Sequence, residues 1–412
     1  MKTFFKVGSF TSVAFAVIIS ALVYAIFANT QVAQGDIGGR KIVIWKDGVS
    51  EARKNAVISQ RGRKVKDIPL VRGTVLEAVS DTAVNALRNS SDVLRIDEDP
   101  VAYVAVREIR DNEHARGSAR SQKVGTLAPP QVLPWGIDRI DAELVWPSGN
   151  TADPIKGGVI DTGISSSHPD LKVNIKGGIN TINARKGWND DNGHGSHVAG
   201  IVAAVNNTQG VVGGAPAADL YAIKVLNAQG SGYYSDIIEG LQWAIANNLQ
   251  VVNMSLGGSA DYQPLHDAIV AAQNAGIVIV VAAGNNGGVV SYPGAYPEVI
   301  TVAATDSSNA RPSWSNFGPE VDISAPGVSV YSTYKGTGYA TLSGTSMATP
   351  HVAAAVALLL NRVVGAYDTN SNNKWDPNEI QTRLQSTATD LGAPAYDNFY
   401  GWGLVNAFAA VQ

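Results

Sequence analysis

Four polar side chains stand where a polypeptide can do chemistry, each at the end of an apolar strand pattern or the start of a helical one. Asp161 follows such a run in Val159-Ile-Asp-Thr-Gly163. His194 lies in Asn192-Gly-His-Gly-Ser-His-Val-Ala-Gly200, ahead of a helical pattern through Val205. Ser346 lies in Gly344-Thr-Ser-Met-Ala-Thr-Pro-His351, at the start of an apolar helix ending near Val364. Asn285 closes a buried-type strand in Ala282-Ala-Gly-Asn-Asn286. A serine hydroxyl is a weak nucleophile near neutral pH and needs a base within hydrogen-bond reach. Histidine titrates near working pH, so it can take that proton and return it to a leaving group. An aspartate fixes the imidazole tautomer and stabilises the imidazolium. A side-chain amide, with backbone donors at a helix N-terminus, can stabilise a developing oxyanion. The set therefore implies acyl transfer through a serine nucleophile.

The elements that must hold this set read as two units. Between residues 131 and 412, continuous apolar runs alternate with helical patterns: Gly157–Ile160, Leu220–Val225, Gln250–Met254, Ile277–Ala282 and Val299–Ala303. Such runs predict a parallel sheet covered by helices on both faces, with the site at the carboxyl ends of its strands. Residues 40–105 predict a small α+β unit with an open antiparallel sheet. Its strands are expected over Lys41–Trp45, Leu70–Val79, Val93–Asp97 and Val101–Ala105. Its helices are expected over Val49–Gln60 and Asp81–Asn89, with Asp81 as the N-cap of the second. Residues 106–130 are charged and polar and read as a cleavable linker. Lys2 and Lys6 precede an uncharged run from Phe10 to Ala28, the pattern of a signal peptide over residues 1–28. The run approaches bilayer-spanning length, so an uncleaved anchor through residues 10–28 stays open.

The motifs around Asp161, His194, Ser346 and Asn285 occur in the order of the subtilisin family, which the sequence resembles from Gln131 nearly to its C-terminus. The resemblance implies a three-layer α/β/α catalytic domain over 131–412, behind a propeptide over 40–105 that helps folding and covers the cleft. It implies a secreted serine endopeptidase, made as a self-processing zymogen, monomeric, with broad specificity for protein and peptide substrates. By position it assigns the triad to Asp161, His194 and Ser346, and the oxyanion donor to Asn285. His197, the second histidine of the motif, is then a packing residue, as is His351. Gly230-Ser231-Gly232 and Ser255-Leu256-Gly257 become the two edges that pair with an extended peptide. Tyr234 lines a more distant apolar subsite, and Ala283-Gly284 belong to the cleft wall. A shortened stretch between Asn285 and Tyr292, with Ser291 in it, alters the primary pocket, for which large apolar residues are expected.

The same resemblance implies a calcium site made by the side chains of Gln131, Asp170 and Asn207 and the carbonyls of Val205, Gln209 and Val211, all-oxygen ligation that suits Ca2+. A second loop is read from spacing alone. Asp368, Asn370, Asn372 and Asp376 alternate, Lys374 would lend a carbonyl, and Glu379 stands twelfth, as in an EF-hand loop. Asn373 stands where glycine is usual.

Composition agrees with this reading. Cysteine is absent, which excludes disulfides and thiol catalysis. The net charge of −4 offers nothing to a nucleic acid. Residues 131–412 hold 12 Lys and Arg against 22 Asp and Glu, whereas residues 36–130 hold 17 against 13. A basic leader and an acidic body are suited to meeting each other. A catalytically dead scaffold is the rival reading, and loss of a triad residue would have favoured it.

Overall fold

A computed structural model describes residues 39–106 and 129–412. The expected signal peptide and most of the expected linker lie outside them. Seven strands form one all-parallel sheet, in the spatial order Ile323–Pro326, Ile300–Thr305, Val278–Ala282, Val251–Met254, Lys156–Asp161, Asp219–Lys224, Ile175–Asn180. Their side chains are apolar in both directions because helices cover both faces. On one face lie His194–Ala203 and Thr345–Leu360, the latter buried from Thr345 to Leu359. On the other lie Tyr234–Ala246 and Gln263–Asn274. This is the three-layer α/β/α arrangement expected from the sequence. The Ser346 helix stops at Leu360, and Val363 is 90% exposed, so the apolar pattern outruns the helix by several residues.

The N-terminal unit carries a four-stranded antiparallel sheet ordered Arg63–Ile68, Gly73–Glu77, Lys41–Trp45, Val93–Glu98. Strand alternation divides its residues between two cores. Val43 and Trp45 face its own helices, Glu51–Ile58 and Asp81–Arg88. Ile42 and Ile44 share a core with Ile237, Leu241, Leu265 and Ile269 of the catalytic body. Three local expectations need correction. Ser80, rather than Asp81, is the N-cap, its hydroxyl accepting from Ala83 N at 3.2 Å. Leu70 falls in a short 3-10 turn, and its strand begins at Gly73. Arg63–Ile68, too charged to read as a strand, is an edge strand whose exposed side chains are charged apart from Val65.

The largest difference concerns Val101–Val104, expected to complete that small sheet. It leaves it and pairs antiparallel with Ser231–Tyr233 on one side and Leu256–Gly257 on the other. The end of the N-terminal unit thus lies as the middle strand of a three-stranded sheet built on the catalytic body.

Candidate active site

Asp161 ends a central strand, and His194 opens the helix beyond a glycine-rich turn. The Asp161 carboxylate takes the His194 Nδ1 hydrogen, with its oxygens at 2.8 and 2.9 Å. It also accepts from Thr162 N at 2.6 Å. Asp161 is fully buried and His194 is 2% exposed, so this pairing acts in a low-dielectric setting. Gly195 is required here, because a Cβ on it would lie 2.2 Å from the Gly163 carbonyl. His194 Nε2 is buried without a hydrogen-bond partner. Ser346 Oγ donates instead to the Ser255 carbonyl at 3.0 Å. His194 is therefore oriented by Asp161, and its Nε2 is free to accept a hydrogen bond.

The cleft is filled by the chain itself. Val104 N donates to Gly230 O at 2.9 Å, and Ala105 N to Ser255 O at 3.1 Å. Tyr103 pairs with Ser231 and Gly257, and Ala102 with Gly232. Ala102 is fully buried in the apolar cluster that also holds Tyr234, Leu226 and Leu256. The Ala105 carbonyl accepts from Ser346 N at 3.2 Å and from Asn285 Nδ2. The Asn285 amide is aimed by its other end, where Oδ1 accepts from Thr345 N and Thr345 Oγ1, both at 2.9 Å. Thr345 Oγ1 in turn accepts from Gly284 N at 3.1 Å, and Ala283 is buried behind it. A Cβ on Gly344 would stand 2.6 Å from the Ala105 oxygen, so only glycine leaves room for the carbonyl. Gly257 also packs close to Ser291, since a Cβ on it would come within 3.1 Å of Ser291 Cβ.

His197 and His351 stay out of this chemistry. His197 Nε2 donates to the carbonyls of Val330 and Ala340 at 3.1 and 3.0 Å. His351 Nδ1 donates to Met347 O at 2.8 Å. Burial, reinforced at His197 by His194, pushes the two rings down to about 3 and about 4.

The residues of the first expected metal site lie close together. Gln131 Nε2 donates to the carbonyls of Val205 and Val211 at 3.0 and 3.3 Å, and Asn207 Nδ2 donates to Asp170 Oδ1 at 3.1 Å. Asp170 Oδ2 accepts from Tyr339 Oη at 2.9 Å and from Val211 N at 3.1 Å. The oxygens of Val205, Val211 and Asp170 thus lie around the amide NH2 groups of Gln131 and Asn207, and a hard cation there would require both amides to turn and present their oxygens. Among the described residues no three His, Cys, Asp or Glu side chains converge, so carbonyls and amides dominate this set. The second loop fits less well. Asp368 accepts from the backbone of Asn372 and Asn373, and Asp376 Oδ2 from Asn372 Nδ2 at 3.0 Å. Asn373 takes the left-handed conformation usual for glycine, with φ of 60°. Glu379, expected as the twelfth ligand, instead caps the helix Pro377–Ser386. Its Oε1 accepts from Thr369 N and Oγ1 at 2.6 and 2.7 Å, and its Oε2 from Asp376 N at 3.0 Å.

With this geometry in view, comparison with known proteins is specific. Residues 154–403 match the Subtilase family, Peptidase_S8. Subtilisin E of Bacillus subtilis (strain 168) is 41% identical over 88% of this chain and 87% of its own length. Subtilisin Savinase of Lederbergia lenta is 47% identical over 68% of this chain and 100% of its own. The thermostable alkaline protease of Halalkalibacterium halodurans is 42% identical over 82% of this chain and 90% of its own. The chain belongs to the subtilase family. It is a serine endopeptidase of subtilisin type.

Proposed function

We propose that the protein is an exported, broad-specificity endopeptidase made as a zymogen, and that its first substrate is its own Ala105–Val106 bond. The observation that carries this reading is the Ala105 carbonyl held by Asn285 Nδ2 and Ser346 N at the end of a strand seated in the cleft. In the proposed reaction Ser346 exchanges its bond to Ser255 O for one to His194 Nε2, loses its proton there, and attacks the Ala105 carbonyl carbon. Negative charge moves onto the Ala105 oxygen, and its two donors strengthen as it develops. Asp161 stabilises the imidazolium. The C–N bond to Val106 breaks, the new amine takes the proton from His194, and water hydrolyses the ester. Residues 40–105 then remain as an inhibitor, and residues 106–130 are trimmed to a mature body near Gln131. Residues 1–28 direct export, and the mature enzyme is a monomer acting on proteins and peptides. Calcium is held by Gln131, Asp170, Asn207 and the carbonyls of Val205, Gln209 and Val211, where it neutralises Asp170 and ties the loop to the body.

Intact mass and N-terminal sequencing of wild type beside Ser346→Ala tests the reading. Wild type should give a fragment beginning at Val106 and the variant should stay whole. Cleavage of both at one place would assign processing to another protease.

A further inference from the structure

Asn285 can hold an oxyanion only if its own backbone is fixed, and the fixing comes from outside its motif. We infer that Asn316 is a positioning residue that clamps residues 283–291 and thereby sets both the aim of Asn285 and the width of the primary pocket. The proposal rests on the reading of Asn285 as an oxyanion donor.

Asn316 is fully buried. Its Oδ1 accepts from Asn286 N at 2.9 Å and from Gly288 N at 3.2 Å. Its Nδ2 donates to Val289 O at 2.7 Å, to Ala283 O at 3.1 Å and, more weakly, to Ser291 Oγ at 3.4 Å. Its backbone N donates to Gly284 O at 2.9 Å. One residue therefore holds both chain neighbours of Asn285 and the pocket wall on to Ser291. A side-chain amide offers two acceptor and two donor directions, and here all are used. No hydroxyl or carboxylate can match that pattern. The loop also lies flush on the clamp, since a Cβ on Gly284 would be 2.3 Å from Asn316 Nδ2. The clamp is itself anchored, because the adjacent Ser315 Oγ accepts from Ala304 N of the parallel sheet at 3.0 Å.

Loosening this clamp should act on the transition state more than on ground-state binding, because the oxyanion donor matters only as charge develops. A displacement of about 1 Å in a catalytic group can cost ~10²-fold, so we expect kcat to fall ~10- to 100-fold. KM for a peptide with Ala at the cleaved position should stay within about threefold, the pattern of an interaction made only in the transition state. Relaxation of the wall through Ser291 should also shift the Phe-to-Ala preference at that position.

The test compares wild type, Asn316→Ser, Asn316→Asp and Asn285→Ala in the full chain after maturation. Rates are normalised to active sites titrated by a burst assay. Asn316→Asp keeps the side chain's shape and its acceptor oxygen but sets oxygen against the carbonyls of Ala283 and Val289, so it remains informative if Asn316→Ser does not fold. Lower kcat per active site, steady KM and a changed Phe-to-Ala ratio would support the clamp. Unchanged per-site kcat and ratio, with only fewer active sites or a lower Tm, would overturn it, since that is what a merely structural residue does. If Asn285→Ala leaves kcat intact, the oxyanion reading fails first and the clamp's catalytic role falls with it. If Asn285→Ala is impaired and the Asn316 variants are not, the clamp alone fails.

Discussion

Lys66 offers a direct test of how the N-terminal unit grips the enzyme. It lies on the charged edge strand, and its ammonium reaches three acceptors on the catalytic body. It pairs with Asp236, with Glu239 at 2.6 Å, and with the Thr181 carbonyl at 2.8 Å. The Asp236 side chain is 2% exposed. Replacing Lys66 with Met keeps most of the aliphatic stem and removes the charge. Stripping the partner from a buried ion costs about 3–5 kcal/mol. That full value does not apply, because Arg40 remains 3.6 Å from the other Asp236 oxygen. Glu239 is 27% exposed and can recover water, so its share is small. A net loss of about 2–3 kcal/mol is left, which corresponds to a ~30- to 150-fold weaker complex. The assay is inhibition of the mature enzyme by the separated N-terminal unit, followed with a short peptide substrate. Lys54→Met is the control, since Lys54 pairs with Glu51 of its own unit. An inhibition constant within about threefold of wild type for Lys66→Met would refute the reasoning. It would mean that the apolar contact around Ile42 and Ile44 and the strand seated in the cleft carry the grip without Lys66.

Two further outcomes follow from the catalytic body. Chelation should lower Tm by ~10 °C, taking about 4 kcal/mol for calcium at a thousand times its Kd, and Asp170→Asn should abolish the response to added calcium. An equal calcium response in both proteins, read by scanning calorimetry, would remove the metal from this loop. Acid should destabilise the fold through His197 and His351. Both are held below the ordinary 6.5, to about 3 and about 4, chiefly by burial. Each therefore contributes stability that is fully present above pH 6.5 and is lost as the pH falls toward its folded value. Tm measured against pH should decline from about 6.5 to 4, and His351→Gln should flatten that decline.

The candidate catalytic set was legible in the sequence because each member sits in a short motif at a strand end or helix start. There, local pattern and position in the fold coincide. The parallel sheet was legible for the same reason, since strands buried on both faces leave unbroken apolar runs such as Ile277–Ala282. The strands not foreseen lack that signature. Ile175–Asn180 lies at the sheet edge with half-buried glycines, and Arg63–Ile68 is mostly charged and exposed. Val101–Val104 shows another limit. Its residues announced a strand, but strand propensity carries no information about the partner. The partner is chosen by two glycine-bearing edges more than a hundred residues away.

Asn316 marks where reading by motif ends. It stands in a polar stretch, Ser313-Trp-Ser-Asn-Phe317, with nothing local to distinguish it from a surface turn. Its significance exists only once the chain folds and brings five groups of residues 283–291 onto its side-chain amide and the Gly284 carbonyl onto its backbone N. The same logic governs Gly344, whose missing side chain makes room for a carbonyl from residue 105. Residues that perform chemistry are constrained by their own type, and sequence exposes them. Residues that position chemistry are constrained by what they face, and only the assembled fold supplies that.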